Sequence, residues 1–335
     1  MSTDDDADFP GRGFRSGFVT VIGRPNVGKS TLVNRILGTK VTITSPRPNT
    51  TRRSVRGVLH RPGVQAVFVD TPGLHRPRSA LGRRLNEQVM AALDDLDVVV
   101  AMLDATAPLG PGDRLVLERA ANSCTSARAA WCPPAAPSPH GSPSSQGTLS
   151  PSAGTGTKGA HGLVVVVNKT DRAAPAQVLT QLSAAQEALG DNGPGAEYFA
   201  MSATSGQGVE ELVEAVVERL PEGPPYFPKD MVSDVPKMFW VAELVREQLR
   251  ARVRDELPHS IACRVSEWEW PRVRVEILVE RDSQKGIVIG SGGEVLKDVG
   301  IAVREQLPPG AFVELHVRVE KRWQERPEAI ERLGY

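Results

Sequence analysis

The sequence has few cysteines and no long apolar run. Three cysteines stand among 335 residues, and an odd, dispersed set argues against a disulfide scaffold and for a reducing compartment. No run of about 18 apolar residues occurs, so the sequence predicts no membrane-spanning helix. Residues 1–6 are acidic, unlike the start of a signal or transit peptide. These absences predict a soluble intracellular protein.

The sequence also lacks an excess of either charge. Forty lysines and arginines balance forty aspartates and glutamates, which argues against a globally basic nucleic-acid binder but allows a local basic patch. A hydrophobic content of 40% is sufficient to build cores. Because 335 residues exceed the usual domain of about 100–150 residues, the length predicts two domains.

Strand-like and helical patterns alternate through the first two thirds of the chain. The apolar runs are rich in β-branched residues and do not alternate with polar ones, as is typical of parallel strands covered on both faces. The predicted strands cover residues 18–22, 66–69, 97–103 and 163–167, and the predicted helices 29–37, 81–93, about 113–120 and 209–220. This order predicts an α/β doubly wound domain.

Residues 121–160 interrupt the pattern. Of these 40 positions, 27 are Ala, Ser, Pro or Gly, and no acidic residue occurs between Glu118 and Asp171. Such a segment buries too little apolar surface to offset its ordering entropy, so we predict a disordered insertion. The alternative is an error in the predicted reading frame, which would also explain why the composition of this segment matches neither flank. Cys124 and Cys132 lack the paired spacing of a metal site and are interpreted as free thiols.

A second boundary falls at residues 221–228, where four prolines in eight positions cannot continue a helix. Beyond it, apolar residues recur every fourth position over 241–253, which predicts an amphipathic helix. Strand patterns at 261–265 and 273–279, a glycine-rich turn, a helical pattern at 294–306 and a strand pattern at 312–319 follow. The second module is therefore predicted to be a smaller α+β domain.

Residues 23–30, GRPNVGKS, have the spacing of a phosphate-binding P-loop. The glycines let backbone N–H groups converge on phosphate, and the helix N-terminus adds its positive pole. Lys29 is predicted to reach the terminal phosphates and Ser30 to bind Mg²⁺. An accidental glycine-rich turn is excluded by the context, because the motif lies between a predicted strand and a predicted helix.

Three further motifs follow predicted strand ends and specify the nucleotide. Asp70, at the start of DTPG (70–73), can hold Mg²⁺, and the Gly73 amide can meet the γ-phosphate. In NKTD (168–171), Asp171 can accept both the ring N–H and the exocyclic amine of guanine, donors that adenine does not offer in that arrangement. Ser202 and Ala203 support the base from the other side. Four motifs in this order predict GTP or GDP with Mg²⁺.

A second glycine-rich signal lies in the second module. Residues 290–293, GSGG, form a GxxG loop that follows an apolar run and precedes a helical pattern. In this order of elements the loop resembles that of a type II KH domain, which clamps single-stranded nucleotides. The two central residues, Ser291 and Gly292, carry no charge, whereas many KH loops place a lysine or arginine there. Lys285, Lys297 and Arg304 are predicted to compensate. A KH-like fold that binds protein is the alternative.

The motif set resembles that of translation-factor-class GTPases, and it is similar in detail to the Era family of bacterial GTPases. The similarity rests also on NTTRR (49–53), DTPGLH (70–75), DELPHS (255–260), residues 279–290 and the tail 322–335. It covers residues 16–335 apart from the insertion. The predicted organisation is a flexible N-terminus (1–15), a GTPase domain (16–220), a linker (221–239) and a KH domain with its tail (240–335).

The resemblance carries further implications for the site. Thr50 or Thr51, with Thr51 favoured, closes on Mg²⁺ when GTP is bound. Leu74 stands where many small GTPases carry a water-positioning glutamine, so intrinsic hydrolysis is expected to be slow. Asn26 matches an asparagine that helps to bind a K⁺ ion in relatives with this replacement; an asparagine that only shapes the loop is the alternative.

The resemblance also implies partners and location. It predicts binding to the 3′ end of small-subunit ribosomal RNA, a role in rRNA maturation and assembly of the small ribosomal subunit, a monomeric state, and a bacterial cytoplasmic location with weak peripheral contact at the inner face of the membrane. The alternatives are an RNA-binding KH protein whose GTPase is nearly silent and a membrane-associated regulatory GTPase.

The predicted site residues fall into four sets. The catalytic set is Lys29, Thr51, Asp70 and Gly73, and the metal set is Ser30, Thr51 and Asp70. The GTP-binding set is Gly23, Arg24, Pro25, Asn26, Val27, Gly28, Lys29, Ser30, Thr31, Thr50, Thr51, Asp70, Thr71, Pro72, Gly73, Leu74, Asn168, Lys169, Thr170, Asp171, Ser202 and Ala203. The RNA-binding set is Lys285, Ile289, Gly290, Ser291, Gly292, Gly293 and Lys297.

Overall fold

The β-branched runs of the first two thirds of the chain form one six-stranded sheet. A computed structural model describes residues 13–74, 77, 79–94, 96–125, 162–190, 195–253 and 257–335. The strands are β1 (Arg15–Gly23), β2 (Val55–Arg61), β3 (Val64–Asp70), β4 (Val98–Asp104), β5 (Gly162–Asn168) and β6 (Glu197–Ala200). Their order is β2-β3-β1-β4-β5-β6, with β2 antiparallel to β3 and the other pairs parallel. The predicted α/β doubly wound fold is confirmed, although neither β2 nor β6 was among the four predicted strands.

Helices cover both faces of this sheet. They are α1 (Lys29–Leu37), α2 (Ala80–Asp94), α3 (Pro111–Thr125), α4 (Pro175–Leu189) and α5 (Val209–Arg219). One core cluster joins Val19 of β1 to Leu32 of α1 and Leu212 of α5. The other joins Ile22 of β1 to Leu117 of α3. Because neighbouring residues of a strand point to opposite faces, β1 contributes to both cores.

The predicted insertion begins later than the sequence indicated. Helix α3 continues to Thr125, because Ala120 and Ala121 are buried in the core and extend its apolar face. The prediction was therefore wrong for residues 121–125, and residues 126–160, with Cys132, lie outside the described residues. Cys124 is half-buried, and burial raises the pKa of its thiol to about 11.

Both attachment points of that segment lie at the edge of the sheet where the parallel strands begin. Helix α3 starts near the edge where the parallel strands end, because Asp113 in its first turn contacts the P-loop residue Arg24. The helix ends at Thr125. Strand β5 then starts at Gly162, whose N–H donates to the carbonyl oxygen of Asp97 beside the start of β4, at 3.1 Å.

The second module is built around a three-stranded sheet. Its elements are α6 (Lys237–Arg252), α7 (Leu257–Ser260), β7 (Ala262–Glu269), β8 (Arg272–Val279), α8 (Asp282–Ile289), α9 (Glu294–Arg304), β9 (Phe312–Val319) and α10 (Pro327–Arg332). Strand β8 is antiparallel to β7 and parallel to β9. This α+β order confirms the type II KH fold. The apolar run before the GxxG loop, which was grouped with a glycine-rich turn, is helical and forms α8.

The segment between the two modules is fastened to the first sheet. The N–H of Val58 donates to the carbonyl oxygen of Val232 at 2.8 Å, and the Gln65 side chain donates to the carbonyl oxygen of Phe227 at 2.7 Å. Helix α6 begins at Lys237, directly after Pro236, so the predicted linker 221–239 ends three residues too late. No helix in the described part of the chain is both long and apolar enough to cross a membrane.

Candidate nucleotide site and RNA-binding loop

The P-loop connects β1 to α1 at the carboxyl edge of the first sheet. Gly28 has φ +107°, and a Cβ at this position would lie 2.3 Å from the side-chain nitrogen of Asn168. Only glycine fits there, because the loop must adopt a left-handed conformation under a neighbouring side chain. Asn26 also has positive φ, at 66°. The loop geometry therefore depends on the residue types that the motif specifies.

Lys29 is the first residue of α1 and is 6% exposed. Its ammonium group donates to the carbonyl oxygens of Gly23 and Arg24, at 2.9 and 3.1 Å. Burial lowers the pKa of Lys29 to about 8, and the charge of Asp70 opposes part of that shift. The buried cation is thus held at the mouth of the loop by acceptors that a phosphate could replace.

Three oxygen-bearing side chains from different elements meet beside Lys29. The Ser30 hydroxyl donates to Oδ2 of Asp70 at 2.8 Å and lies 2.9 Å from the Thr51 hydroxyl. The Thr51 hydroxyl lies 3.2 Å from the same carboxylate oxygen. Asp70 is fully buried, which raises its pKa, and the charge of Lys29 and hydrogen bonds from the hydroxyl groups of Ser30, Thr42 and Thr51 oppose the shift.

This cluster suits a Mg²⁺ ion. Hydroxyl and carboxylate oxygens are the donors that Mg²⁺ takes. Among the described residues, the second carboxylate oxygen of Asp70, Oδ1, has no hydrogen-bond partner although it is buried. A buried carboxylate oxygen without a partner is costly, so it calls for a cation or water. The residues present therefore fit the implied ion.

The structure separates the two threonines that the resemblance left open. The Thr51 hydroxyl joins Ser30 and Asp70. The Thr50 hydroxyl instead donates to the carbonyl oxygen of Arg47 at 2.8 Å. Thr42, which the sequence analysis did not include, also donates to Oδ2 of Asp70 at 2.8 Å. No spacing rule indicated Thr42, because it lies in a loop without a motif.

The DTPG loop packs directly on the P-loop. A Cβ on Gly73 would lie 2.7 Å from the backbone nitrogen of Pro25, and the N–H of Leu74 donates to the carbonyl oxygen of Gly23 at 3.2 Å. The Leu74 side chain is 5% exposed and packs in the core. It therefore neither faces the cleft nor offers a polar atom to water.

Asn168 ties the base end of the site to the P-loop. Its side-chain nitrogen donates to the carbonyl oxygen of Val27 at 2.7 Å, and its side-chain oxygen accepts from the N–H of Ala203 at 2.9 Å. The Asp171 carboxylate accepts from the Ser202 hydroxyl at 2.6 Å. The NKTD and SA motifs, 31 residues apart, are thus held together beside the phosphate loop.

The cleft between these motifs measures about 390 Å³. Twelve of the predicted nucleotide residues line it: Pro25, Asn26, Gly28, Lys29, Ser30, Thr31, Thr50, Thr51, Gly73, Asn168, Lys169 and Ala203. Six further lining residues were not predicted: Thr44, Ser45, Pro46, Asn49, Arg172 and Thr204. Four of the six belong to the loop after α1, where the sequence offered only the NTTRR similarity.

Ten predicted residues do not line the cleft: Gly23, Arg24, Val27, Asp70, Thr71, Pro72, Leu74, Thr170, Asp171 and Ser202. Arg24 is directed away, because its guanidinium pairs with Asp113 at the start of α3 at 2.7 Å. The Thr71 hydroxyl donates to the carbonyl oxygen of Val21 in β1, so Thr71 stabilises the wall of the cleft without lining it.

The GxxG loop connects α8 to α9 on the surface of the second module. Gly290 has φ 78° and ψ 173°, and a Cβ there would lie 2.9 Å from the backbone nitrogen of Val295. Gly292 also has positive φ, at 58°. Ser291, Gly292, Lys285 and Lys297 are exposed, whereas Ile289, Gly290 and Gly293 are partly buried. The loop therefore presents backbone to the surface, with two lysines on the flanking helices.

Comparisons with known proteins find relatives of both modules. Residues 18–128 match the family model described as 50S ribosome-binding GTPase, and residues 256–324 match the KH domain model. The GTPase Era of Mycobacterium avium (strain 104) is 40% identical over 334 residues, which cover 96% of this chain and 99% of that protein. The chain belongs to the Era family of GTPases. The Era of Mycolicibacterium smegmatis is 39% identical over the same shares of the two chains.

Two solved Era structures share the whole architecture of this Era-family chain. One is Era in complex with MgGDPNP and nucleotides 1506–1542 of 16S ribosomal RNA, at 33% identity. The other is a single-residue variant of Aquifex aeolicus Era bound to GDP·AlF4⁻, at 32% identity. Each has a TM-score of 0.80 and is matched over 96% of this chain and 99% of its own. The family and these complexes support a GTPase that takes Mg²⁺ with its nucleotide.

One set of Era-chain residues near the site was missed by the sequence analysis. Glu243, Arg246, Glu247 and Arg250 recur on one face of α6 at helical spacing, and all four are buried. They face the loop after α1 that carries Thr51. A charged face at this spacing usually points to water, so the pattern alone gave no reason to expect burial.

Proposed function

We propose that this Era-family chain is a GTP-hydrolysing switch that binds the 3′ end of small-subunit ribosomal RNA and acts in assembly of that subunit. The observation that carries the proposal is the convergence of Ser30, Thr51 and Asp70 next to Lys29, in a chain that also presents a GxxG loop. A relative that shares the whole architecture has been solved with a GTP analogue and 16S rRNA nucleotides.

The nucleotide is held by residues with separate tasks. Lys29 binds the terminal phosphates, and the P-loop N–H groups surround them. Asp171 accepts from the guanine edge while Ser202 orients its carboxylate through the 2.6 Å hydrogen bond. Asn168 fixes the distance between base and phosphate subsites by contacting both loops.

Mg²⁺ supplies charge neutralisation between the phosphates when it is bound, and Ser30, Thr51 and Asp70 would hold it. Thr51 belongs to a long loop, so its arrival at Ser30 and Asp70 depends on the state of that loop. Loss of the terminal phosphate after hydrolysis would release Thr51, as in other nucleotide switches. Because Leu74 cannot orient water, slow intrinsic turnover is the expected consequence.

K⁺ remains a prediction from the resemblance. The Asn26 side-chain nitrogen donates to the carbonyl oxygen of Pro46 at 2.7 Å, so Asn26 joins the P-loop to the loop that carries Thr51. Both uses of Asn26, cation binding and loop shaping, are compatible with that contact. The cytoplasmic location, peripheral membrane contact and monomeric state likewise stay predictions.

RNA binding is proposed for the GxxG loop and its two flanking lysines. The backbone of residues 290–293 would approach the RNA phosphates, and Lys285 and Lys297 would supply the charge that Ser291 and Gly292 lack. Residues 221–335 contain 18 lysines and arginines against 20 acidic residues. Affinity is therefore expected to depend weakly on salt for an RNA binder.

The test is binding of a labelled oligonucleotide with the 3′ tail of small-subunit rRNA, first with a non-hydrolysable GTP analogue and then with GDP. Tighter binding with the analogue supports the coupled switch. Equal binding would leave two independent modules, and no binding in either state would overturn the ribosomal proposal. An oligonucleotide of the same composition in scrambled order is the control. Turnover in K⁺ and in Na⁺ separates an active GTPase from a nearly silent one.

A further inference from the structure

The loop that carries Thr51 contains no helix or strand of its own. It runs from the end of α1 at Leu37 to the start of β2 at Val55. A connection of this length is unusual within a compact domain and needs external contacts to adopt one conformation. Its backbone carbonyl groups also need donors wherever they are buried.

Helix α6 of the KH module supplies those donors. The Arg250 guanidinium donates to the carbonyl oxygens of Pro48, at 2.9 Å, and Arg47, at 3.2 Å. Arg246 donates to the carbonyl oxygen of Thr50, the residue before Thr51. Both arginine side chains are completely buried. A guanidinium suits this task because its N–H groups form a rigid fork that reaches several acceptors at once.

The acidic residues of the same helix face complete the contact. Oε1 of Glu243 accepts from Nε of Arg246 at 2.7 Å, which balances the buried charge of that arginine. Oε1 of Glu247 accepts from the N–H of Thr44 at 2.9 Å, further back along the loop. Carbonyl groups and an N–H group of the loop are therefore both paired with α6.

From these contacts we infer that Arg246 and Arg250, on a helix of the second module, are positioning residues for Thr51. The inference rests on the proposed role of Thr51 at the metal. It assigns the KH helix a task in GTP hydrolysis rather than in RNA contact.

The first test compares Arg250→Met with Arg250→Lys and with the control Arg252→Met. Arg252 lies on the same helix, but its guanidinium is exposed and, within the described part of the chain, its hydrogen bonds go to Gln248 one turn earlier. Arg250→Met is expected to lower kcat for GTP hydrolysis about tenfold and to leave the Kd for GDP within about twofold, because Thr51 is needed only with the terminal phosphate. Arg250→Lys should recover part of the loss, and Arg252→Met should behave like the unaltered protein.

A double-mutant cycle with Thr51→Ala separates positioning from structural damage. If Arg250 acts through Thr51, Thr51→Ala with Arg250→Met turns over no more slowly than Thr51→Ala alone. Multiplied effects, an equal loss of GDP and GTP affinity, or an unchanged kcat in Arg250→Met would each overturn the inference. If Arg250→Met does not unfold cooperatively on heating, it is not properly folded. The same double-mutant cycle is then measured with Arg250→Lys and with Arg246→Lys.

The cycle also distinguishes this inference from the proposed function. Thr51→Ala with unchanged turnover would remove Thr51 from the site and would overturn both. A slow Thr51→Ala together with fully active Arg246 and Arg250 variants would overturn only the role of the KH helix. Slow turnover in all of them, with GDP affinity retained and no additivity, is the result that we expect.

Discussion

The nucleotide cleft and the GxxG loop both face phosphate, but they are built in opposite ways. The cleft uses buried charges, Lys29 and Asp70, each of which bonds several neighbours. The loop uses no buried charge, and its backbone is open to the surface between two exposed lysines. A phosphate in the cleft replaces internal contacts of a cation, whereas a phosphate at the loop meets a backbone that only glycine permits. The difference predicts that the two sites respond to different substitutions.

The largest effect is expected from removal of the buried cation. Lys29→Met leaves the phosphates without their charged partner, and loss of one such donor typically costs about 3–4 kcal/mol, which corresponds to roughly two to three orders of magnitude in affinity. Fluorescent GDP and GTP titrations measure the change. The exposed Lys237, at the start of α6, provides the control Lys237→Met. RNA binding without nucleotide should be unchanged in both variants, and a loss there would contradict the separation of the sites.

A side chain at the first glycine of the GxxG loop is expected to impair only RNA binding. Gly290→Val places a Cβ against the backbone of Val295 at a φ that L-residues avoid, a strain of about 1–3 kcal/mol, so RNA affinity should fall roughly tenfold to a hundredfold. Gly286→Ala is the matched control, because a Cβ on this helical glycine meets nothing within 4 Å. Filter binding of the rRNA oligonucleotide measures both. Equal losses in the two variants would contradict the role of Gly290.

A pH series tests the buried cation without mutation. The pKa of Lys29 is lowered from 10.5 to about 8 by burial. Below pH 8 the ammonium is charged before the nucleotide arrives. Above it, binding must take up a proton, so affinity for GDP is expected to fall about tenfold per pH unit up to about pH 10.

The lowered pKa of Lys29 also determines how the stability of the free protein changes with pH. The unfolded chain keeps the Lys29 proton up to about 10.5, so this group makes the free protein more stable as pH rises through the same window. Calorimetry of GDP binding in two buffers of different ionisation enthalpy measures the proton uptake. Binding at pH 9 without uptake would show that Lys29 is still charged in the free protein.

The smallest effect is expected from adding a positive charge to the GxxG loop. Ser291→Lys adds to the loop the charge that its central pair lacks, so RNA affinity should rise a few-fold. The slope of log K against log salt should steepen by about 0.7, the value for one further phosphate contact on a single strand. Salt titrations of the rRNA oligonucleotide measure it. An unchanged slope would mean that residue 291 does not face the RNA backbone.

The cleft was largely predictable because its residues sit in contiguous motifs at strand ends. The P-loop gave Lys29 and Ser30, and the boundaries of α1 agree with the prediction, since Gly28 and Gly38 flank it with positive φ. Thr42 was missed, because it reaches Asp70 from a loop that has no periodicity.

The contact between the modules could not be predicted in the same way. The apolar stripe of α6 correctly predicted an amphipathic helix, but the stripe says nothing about what covers the opposite face. Arg246 and Arg250 find their partners in Arg47, Pro48 and Thr50, about two hundred residues earlier in the chain. Only the folded arrangement of both modules shows that this charged face is buried.

The two ends that flank residues 126–161 have a practical consequence for labelling the protein. Helix α3 ends at Thr125 and β5 begins at Gly162, at the edge where the parallel strands start, whereas the nucleotide cleft lies where they finish. A flexible linker placed between these ends would be tolerated over a range of lengths, since each doubling of a flexible loop costs only about 0.6 kcal/mol. A dye-bearing peptide or a small fluorescent domain spliced between Thr125 and Gly162 would therefore leave both phosphate sites intact, and the protein could be followed on its RNA without a tag at either terminus.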